Sequence, residues 1–246
     1  MTNGDNFGLE EPIDALDSAV TKFSHFGMSR ADIWALASLE GARGAQANGD
    51  DLPFSMDWFG RKTCEKTNAD SDCVENDCSA KRGPHRDLPS PHLDTHEMLS
   101  FFNETFGFQE PWETVAIMGA HTLGTLARQN SGFNGPNGWL GNTNRLDSGY
   151  YNALIGGTLT DFQSTNFEAM MNAGDWNQVF INNDDVAAPN RWEWERNTNP
   201  HFVMLNADIA LVRDLSGGLI ADEEGQVAEV RLIIVHFIWH LTWNVS

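Results

Sequence analysis

Basic residues are scarce in this chain: 15 Lys and Arg stand against 35 Asp and Glu, a formal net charge of −20. A surface of that sign repels phosphate backbones and anionic headgroups, so nucleic acid and membrane surfaces are excluded as expected partners, while a cationic protein stays compatible. Long apolar runs are missing too: none reaches the roughly 20 residues that span a bilayer, and no internal repeat is present. The opening residues Met1–Asp5 have neither a basic nor an apolar region of the secretory type, so no signal peptide is expected there, and nothing indicates a localisation. Cysteine is limited to Cys64, Cys73 and Cys78, an odd number that leaves at least one thiol free or bonded to another chain. With His85 they leave gaps of eight, four and six residues, which fit no common zinc pattern. Disulfides of a secreted or lumenal protein explain the cluster more simply.

What is present argues for a folded protein. Hydrophobic residues make up 41% of 246, with nine Trp and fifteen Phe, more than a disordered acidic chain carries. Ile13, Leu16, Val20 and Phe23 recur at helical spacing within residues 11–26, and Gly27 closes that segment. Ser29, three residues before Asp32, predicts the capped start of a helix through 31–41. Residues 44–92 are rich in Gly, Asn, Asp and Pro and read as a long irregular connection. Helical pattern returns at 94–106, and Pro111 suits the first turn of a helix running towards His121. Residues 125–149 are again Gly/Asn-rich, and Met204–Val212 reads as a last helix. The fold class expected is mainly α, with long loops. The tail 231–246 packs Ile, Val, Phe and Trp without a polar face; it reads either as a buried terminal element or as sequence foreign to the fold, and is too short for a membrane anchor.

The strongest local pattern is Val115-Ala116-Ile117-Met118-Gly119-Ala120-His121-Thr122-Leu123-Gly124, one His at the end of an apolar helix between small residues. Gly119, Ala120 and Gly124 would let a flat, bulky group approach the backbone. A lone His on an apolar face is more often a core residue than a ligand, so spacing alone does not make His121 a metal site.

The string from Glu113 to Gly124 resembles the proximal-histidine signature of the plant, fungal and bacterial haem peroxidase superfamily, in its ascorbate peroxidase and cytochrome c peroxidase branch. Further segments agree in order. Ser29–Ala37 resembles the family's S-x-A-D-L-x-x-L-A helix, and Leu88-Pro89-Ser90-Pro91 with Phe101-Phe102 resembles the approach to the proximal helix. Asn130–Pro136 resembles its N-S-G-F-x-G-P stretch, and Met204–Asp208 its M-L-x-x-D segment. The resemblance covers roughly residues 10–225. It implies haem b as cofactor, His121 as axial ligand of the iron, and Asp208 as acceptor of the ring's Nδ1–H, a bond that raises imidazole basicity. Pro89 and Ser131 are implied as haem contacts, whereas Ala127 stands where the family often has a propionate-contacting His. Hydrogen peroxide and a small-molecule or protein electron donor are the implied partners, and response to oxidative stress the implied setting.

Two details depend on alignment. Without a gap, Asn137 falls where the branch carries a Trp beside the proximal His; a two-residue insertion puts Trp139 there, and the spacing to Asp147 and Tyr150-Tyr151 favours the insertion. The same alignment matches Thr122, Asn142 and Asp147 to a K+ or Ca2+ site, with Leu140 replacing one Thr.

Peroxide heterolysis needs a base to relay a proton and a cation to stabilise the separating charge, which the family supplies from one helix, Arg-x-x-(Phe/Trp)-His. None of the eight His in this sequence is preceded by that pattern. The fold implied is therefore an incomplete haem peroxidase-like one, the proximal half with part of the distal half: a partial domain over 1–230, then a tail 231–246 that does not match. Expected function is haem peroxidase by resemblance, inactive or impaired in this chain; the alternative is a non-catalytic haem-binding remnant or truncated gene product.

Overall fold

The computed structural model describes residues 8–46, 55–62, 88–141, 143–155, 176–196 and 202–212. Cys64, Cys73, Cys78, His85, Asn142 and the tail 231–246 lie outside the described residues. The chain divides into two compact units, Met1–Arg86 and Asp87–Ser246.

In the first unit, α1 (Glu10–Ser24) and α2 (Arg30–Gly44) pack together. Gly27 turns the chain between them at φ +81°, a left-handed conformation that favours glycine. Ser29 caps α2 by accepting the Asp32 N–H at 3.0 Å. The apolar spacing of α1 does make a helix, yet none of its side chains is buried. α2 extends past the expected end to Gly44. Its Asp32 is fully buried, accepting from the Gly60 and Arg61 amides at 2.9 and 3.2 Å and from the Arg61 guanidinium at 3.1 Å. These bonds, that from Gly60 foremost, outweigh burial and hold its carboxyl well below the usual range.

The second unit is mainly helical around one core. Asp94 and Glu97 form a reciprocal capping box that starts α3 (Thr95–Phe106), and Gly107 ends it at φ +77°. Pro111 opens α4 (Pro111–Met118), and the Glu113 carboxylate accepts the Gln109 and Glu110 amides. α4 then tightens into a 3-10 turn, Gly119–Thr122. Two short helices follow, α5 (Arg128–Ser131) and α6 (Gly149–Ile155). Met98, Val115, Tyr150, Leu154, Ile155, Ile209 and Leu211 are almost or wholly inaccessible, each burial of this kind contributing about 1.5–3 kcal/mol.

An antiparallel sheet, β1 (Trp176–Ile181), β2 (Arg191–Arg196) and β3 (Phe202–Met204) in sequential order, was not legible in the apolar spacing. Trp176 pairs with Arg196, Ile181 with Arg191, and Trp194 with Met204. The expected helix over Met204–Val212 is corrected accordingly: Met204 ends β3, and only α7 (Asn206–Ile209) is α-helical. Trp194 donates its indole N–H to Asn206 at 3.2 Å, and the Asn206 amide donates to the carbonyls of His92 and Leu93 at 3.1 Å each. This buried amide joins the sheet, α7 and the segment before α3. Strand pairing thus consumes the first residue of a run whose composition alone suits a helix.

Candidate haem-ligand site

His121 sits in the 3-10 turn after α4, and Asp208 in α7; the fold brings them together from 87 positions apart, with Nδ1 2.6 Å from Asp208 Oδ1. An ionised carboxylate only accepts, so Nδ1 carries a proton and donates it to Asp208, which leaves Nε2 as the nitrogen a metal could take. Burial disfavours the imidazolium, but the charge and hydrogen bond of Asp208 outweigh it and raise His121 above its ordinary 6.5. Asp208 itself is fully buried; its Oδ2 accepts the Leu205 amide at 2.7 Å, and its Oδ1 also accepts the Tyr150 hydroxyl at 2.6 Å.

Trp139 lies flat on the imidazole, ring centroids 4.0 Å apart and planes 10° apart. A local turn delivers it: the Gly138 amide donates to Gly135 O at 2.9 Å, and Gly138 has φ +72°. A Cβ at Gly138 would meet the Gly124 carbonyl at 2.3 Å, so the chain passes hard against Gly124, whose own amide donates to Thr143 O at 2.9 Å. Pro136-Asn137-Gly138 is thus a turn that sets Trp139, rather than Asn137, against the ring.

The small residues flanking His121 divide in their use. A Cβ on Gly119 would stand 2.5 Å from the Tyr151 hydroxyl, which donates to Val115 O at 2.7 Å. Gly119 therefore makes room for Tyr151 rather than for a flat ligand, against the expectation from sequence. Gly124 has nothing within 4 Å of its would-be Cβ and needs its φ of +85°. Ala120 and Gly124 are exposed, and 29% of the His121 side chain remains accessible. An imidazole with Nδ1 held by a carboxylate, one face stacked and part of the ring open, fits a residue that would hold haem iron.

The other sequence candidates are positioned as follows. Pro89 is half-buried at the head of a segment tied to α7, where Ala207 N donates to Pro91 O at 3.1 Å and the Thr95 hydroxyl to Ala210 O at 2.8 Å. Ser131 donates to Ala127 O and accepts the Phe133 amide, each at 3.1 Å, so its hydroxyl would have to rotate to meet a propionate. Thr122 is buried and donates to the Asp147 carbonyl at 3.2 Å, while the Asp147 carboxylate accepts the Gly149 amide at 2.8 Å. Asn142 lies outside the described residues. The sequence signals Tyr150 only as one of an aromatic pair three residues after Asp147.

Helices pack around a histidine whose ring is braced by a buried carboxylate. The family described as Peroxidase matches residues 1–218, and the chain belongs to that family. It is 30% identical over 158 residues to a Yarrowia lipolytica protein named as a heme-binding peroxidase, covering 63% of this chain and 44% of that protein. It is 28% identical over 152 residues to the mitochondrial cytochrome c peroxidase of Candida albicans, covering 62% and 35%. A Cryptococcus neoformans protein, also named as a heme-binding peroxidase, is 32% identical over 133 residues, covering 53% and 36%. The chain spans less than half the length of these curated relatives.

Proposed function

We propose that this chain binds haem b through His121 Nε2, with Asp208 fixing the ring and Trp139 backing it, and that it takes part in hydrogen-peroxide-dependent oxidation of an electron donor, in response to oxidative stress. The 2.6 Å bond between His121 and Asp208 carries this reading. Bound haem iron would supply the redox chemistry with peroxide. The chain's own residues hold the Nδ1 proton towards Asp208, make the imidazole more basic, fix its rotation and seal its Trp139 face from water. Pro89 and Ser131 are assigned to the haem periphery, and Thr122, Asn142 and Asp147 to a hard cation, K+ or Ca2+. Support for the cation is limited to two oxygens, Thr122 Oγ1 and Asp147 O, 3.2 Å apart. Residues 1–230 are assigned to the peroxidase domain and 231–246 to a separate apolar tail.

Because this sequence contains no Arg-x-x-(Phe/Trp)-His, the chain alone is assigned haem binding with slow or no turnover. Haemin titration of the full chain should give a shifted Soret band that His121→Ala abolishes, with peroxide-dependent donor oxidation near background. A wild-type chain with no Soret shift would overturn the haem assignment, and rapid turnover would overturn the assigned impairment.

A further inference from the structure

Asp208 Oδ1 accepts two donors at the same distance, the His121 ring and the Tyr150 hydroxyl, 2.6 Å each. The carboxylate is fully buried, and its second oxygen is taken by the Leu205 amide. Water therefore does not compete there; the phenol does. Tyr150 is itself fully buried, edge-on to His121 with ring centroids 6.0 Å apart, and braced by Tyr151 at 5.1 Å. Burial, and then the charge of Asp208, push its hydroxyl well above the ordinary 10, so it stays a donor throughout the working range of pH.

Two donors on one oxygen divide its charge. A hydrogen bond from a neutral phenol draws electron density from Oδ1 and weakens what that oxygen accepts from Nδ1–H. The less strongly the carboxylate pulls on that proton, the less anionic the imidazole becomes, and the less electron density Nε2 can give a metal. We propose that Tyr150 is a positioning residue that moderates the His121–Asp208 pair, holding the ligand less basic than the carboxylate alone would make it. This rests on the haem-ligand reading of His121, and it adds a tuning element borne by one of only two tyrosines in the chain.

The test has arms with and without haem. In the haem-free full chain, proton NMR of the His121 Nδ1–H should move downfield in Tyr150→Phe as the bond to Asp208 strengthens. In the haemin-loaded chain, the same variant should raise the iron–imidazole stretching frequency. It should also favour ferric over ferrous iron by roughly tenfold, about 59 mV for one electron. An unchanged or upfield Nδ1–H, or an unchanged or raised potential, would overturn the proposal. Should Tyr150→Phe not fold, a fluorinated tyrosine incorporated in a Tyr151→Phe background, with that background as reference, labels position 150 alone. Its more acidic phenol should shift both readouts the opposite way, and no shift would overturn the proposal. If wild type takes up no haemin, the haem reading fails, while the haem-free NMR arm still decides whether Tyr150 and His121 compete.

Discussion

Asp32 and Asp208 are both fully buried carboxylates at the third position of a helix, and they differ in what donates to them. Asp32 accepts from two backbone amides, a serine hydroxyl and a guanidinium, none of which is an imidazole that could ligate a metal. Asp208 accepts from one amide, a phenol and an imidazole. The first arrangement ties the segment at Gly60 and Arg61 to the start of α2, and the second orients a ring whose other nitrogen is free to ligate. The two buried acids differ in that one has a potential metal ligand among its donors and the other does not.

The comparison can be broken most directly at Asp208. Asp208→Ala would strand the phenol, the ring N–H and the Leu205 amide, and should lower haem affinity about 10–100-fold, read as a rightward shift in a Soret titration. Asp32→Asn removes the charge but no ligand-orienting group. The expected outcome is faster amide hydrogen exchange at Gly60 and Arg61, and unchanged exchange there would contradict the anchoring role.

A third buried acid sharpens the contrast. Glu193 Oε2 accepts the Asn134 amide at 2.8 Å while Oε1 has no partner among the described groups, and burial first, then Glu195, pushes its carboxyl up to about 7. A raised folded value means that the protonated form stabilises the fold. Stability from this group is fully present below 4.5 and is lost as pH rises through about 7. Chemical denaturation of wild type between pH 4.5 and 7.5 should therefore show a decline of about 2 kcal/mol that Glu193→Gln flattens. The smallest effect is expected at Gly124→Ala, where space is open but φ is +85°. Strain of about 1 kcal/mol should lower the midpoint of thermal unfolding slightly, without changing the Soret wavelength of the loaded chain.

Much of the helical framework was legible because its signals are local. Ser29, Gly27 and Pro111 act on the backbone within a few residues of themselves, and α2 and α4 start where those residues predict, while α3 follows the helical pattern over 94–106. The sheet was not legible, since the value of Trp176, Trp194 and Met204 as strand residues comes from partners 10–20 positions away and from burial on both faces of β2. Met204–Val212 misled for the same reason: its apolar composition suits a helix, while pairing with Trp194 claims its first residue.

The candidate site divides along the same line. Sequence by itself determined that His121 follows an apolar helix, that small residues surround it, that Asp208 stands in a family-like segment, and that Asn137 or Trp139 could cover the ring. Tertiary structure alone decided that Asp208 lies 2.6 Å from the ring, that Trp139 rather than Asn137 covers it, that Gly119 serves Tyr151, and that Tyr150 shares the carboxylate. The physical reason is directional: a hydrogen bond or a ring stack needs two side chains aligned within tenths of an ångström, and chain spacing over 87 residues carries no such information.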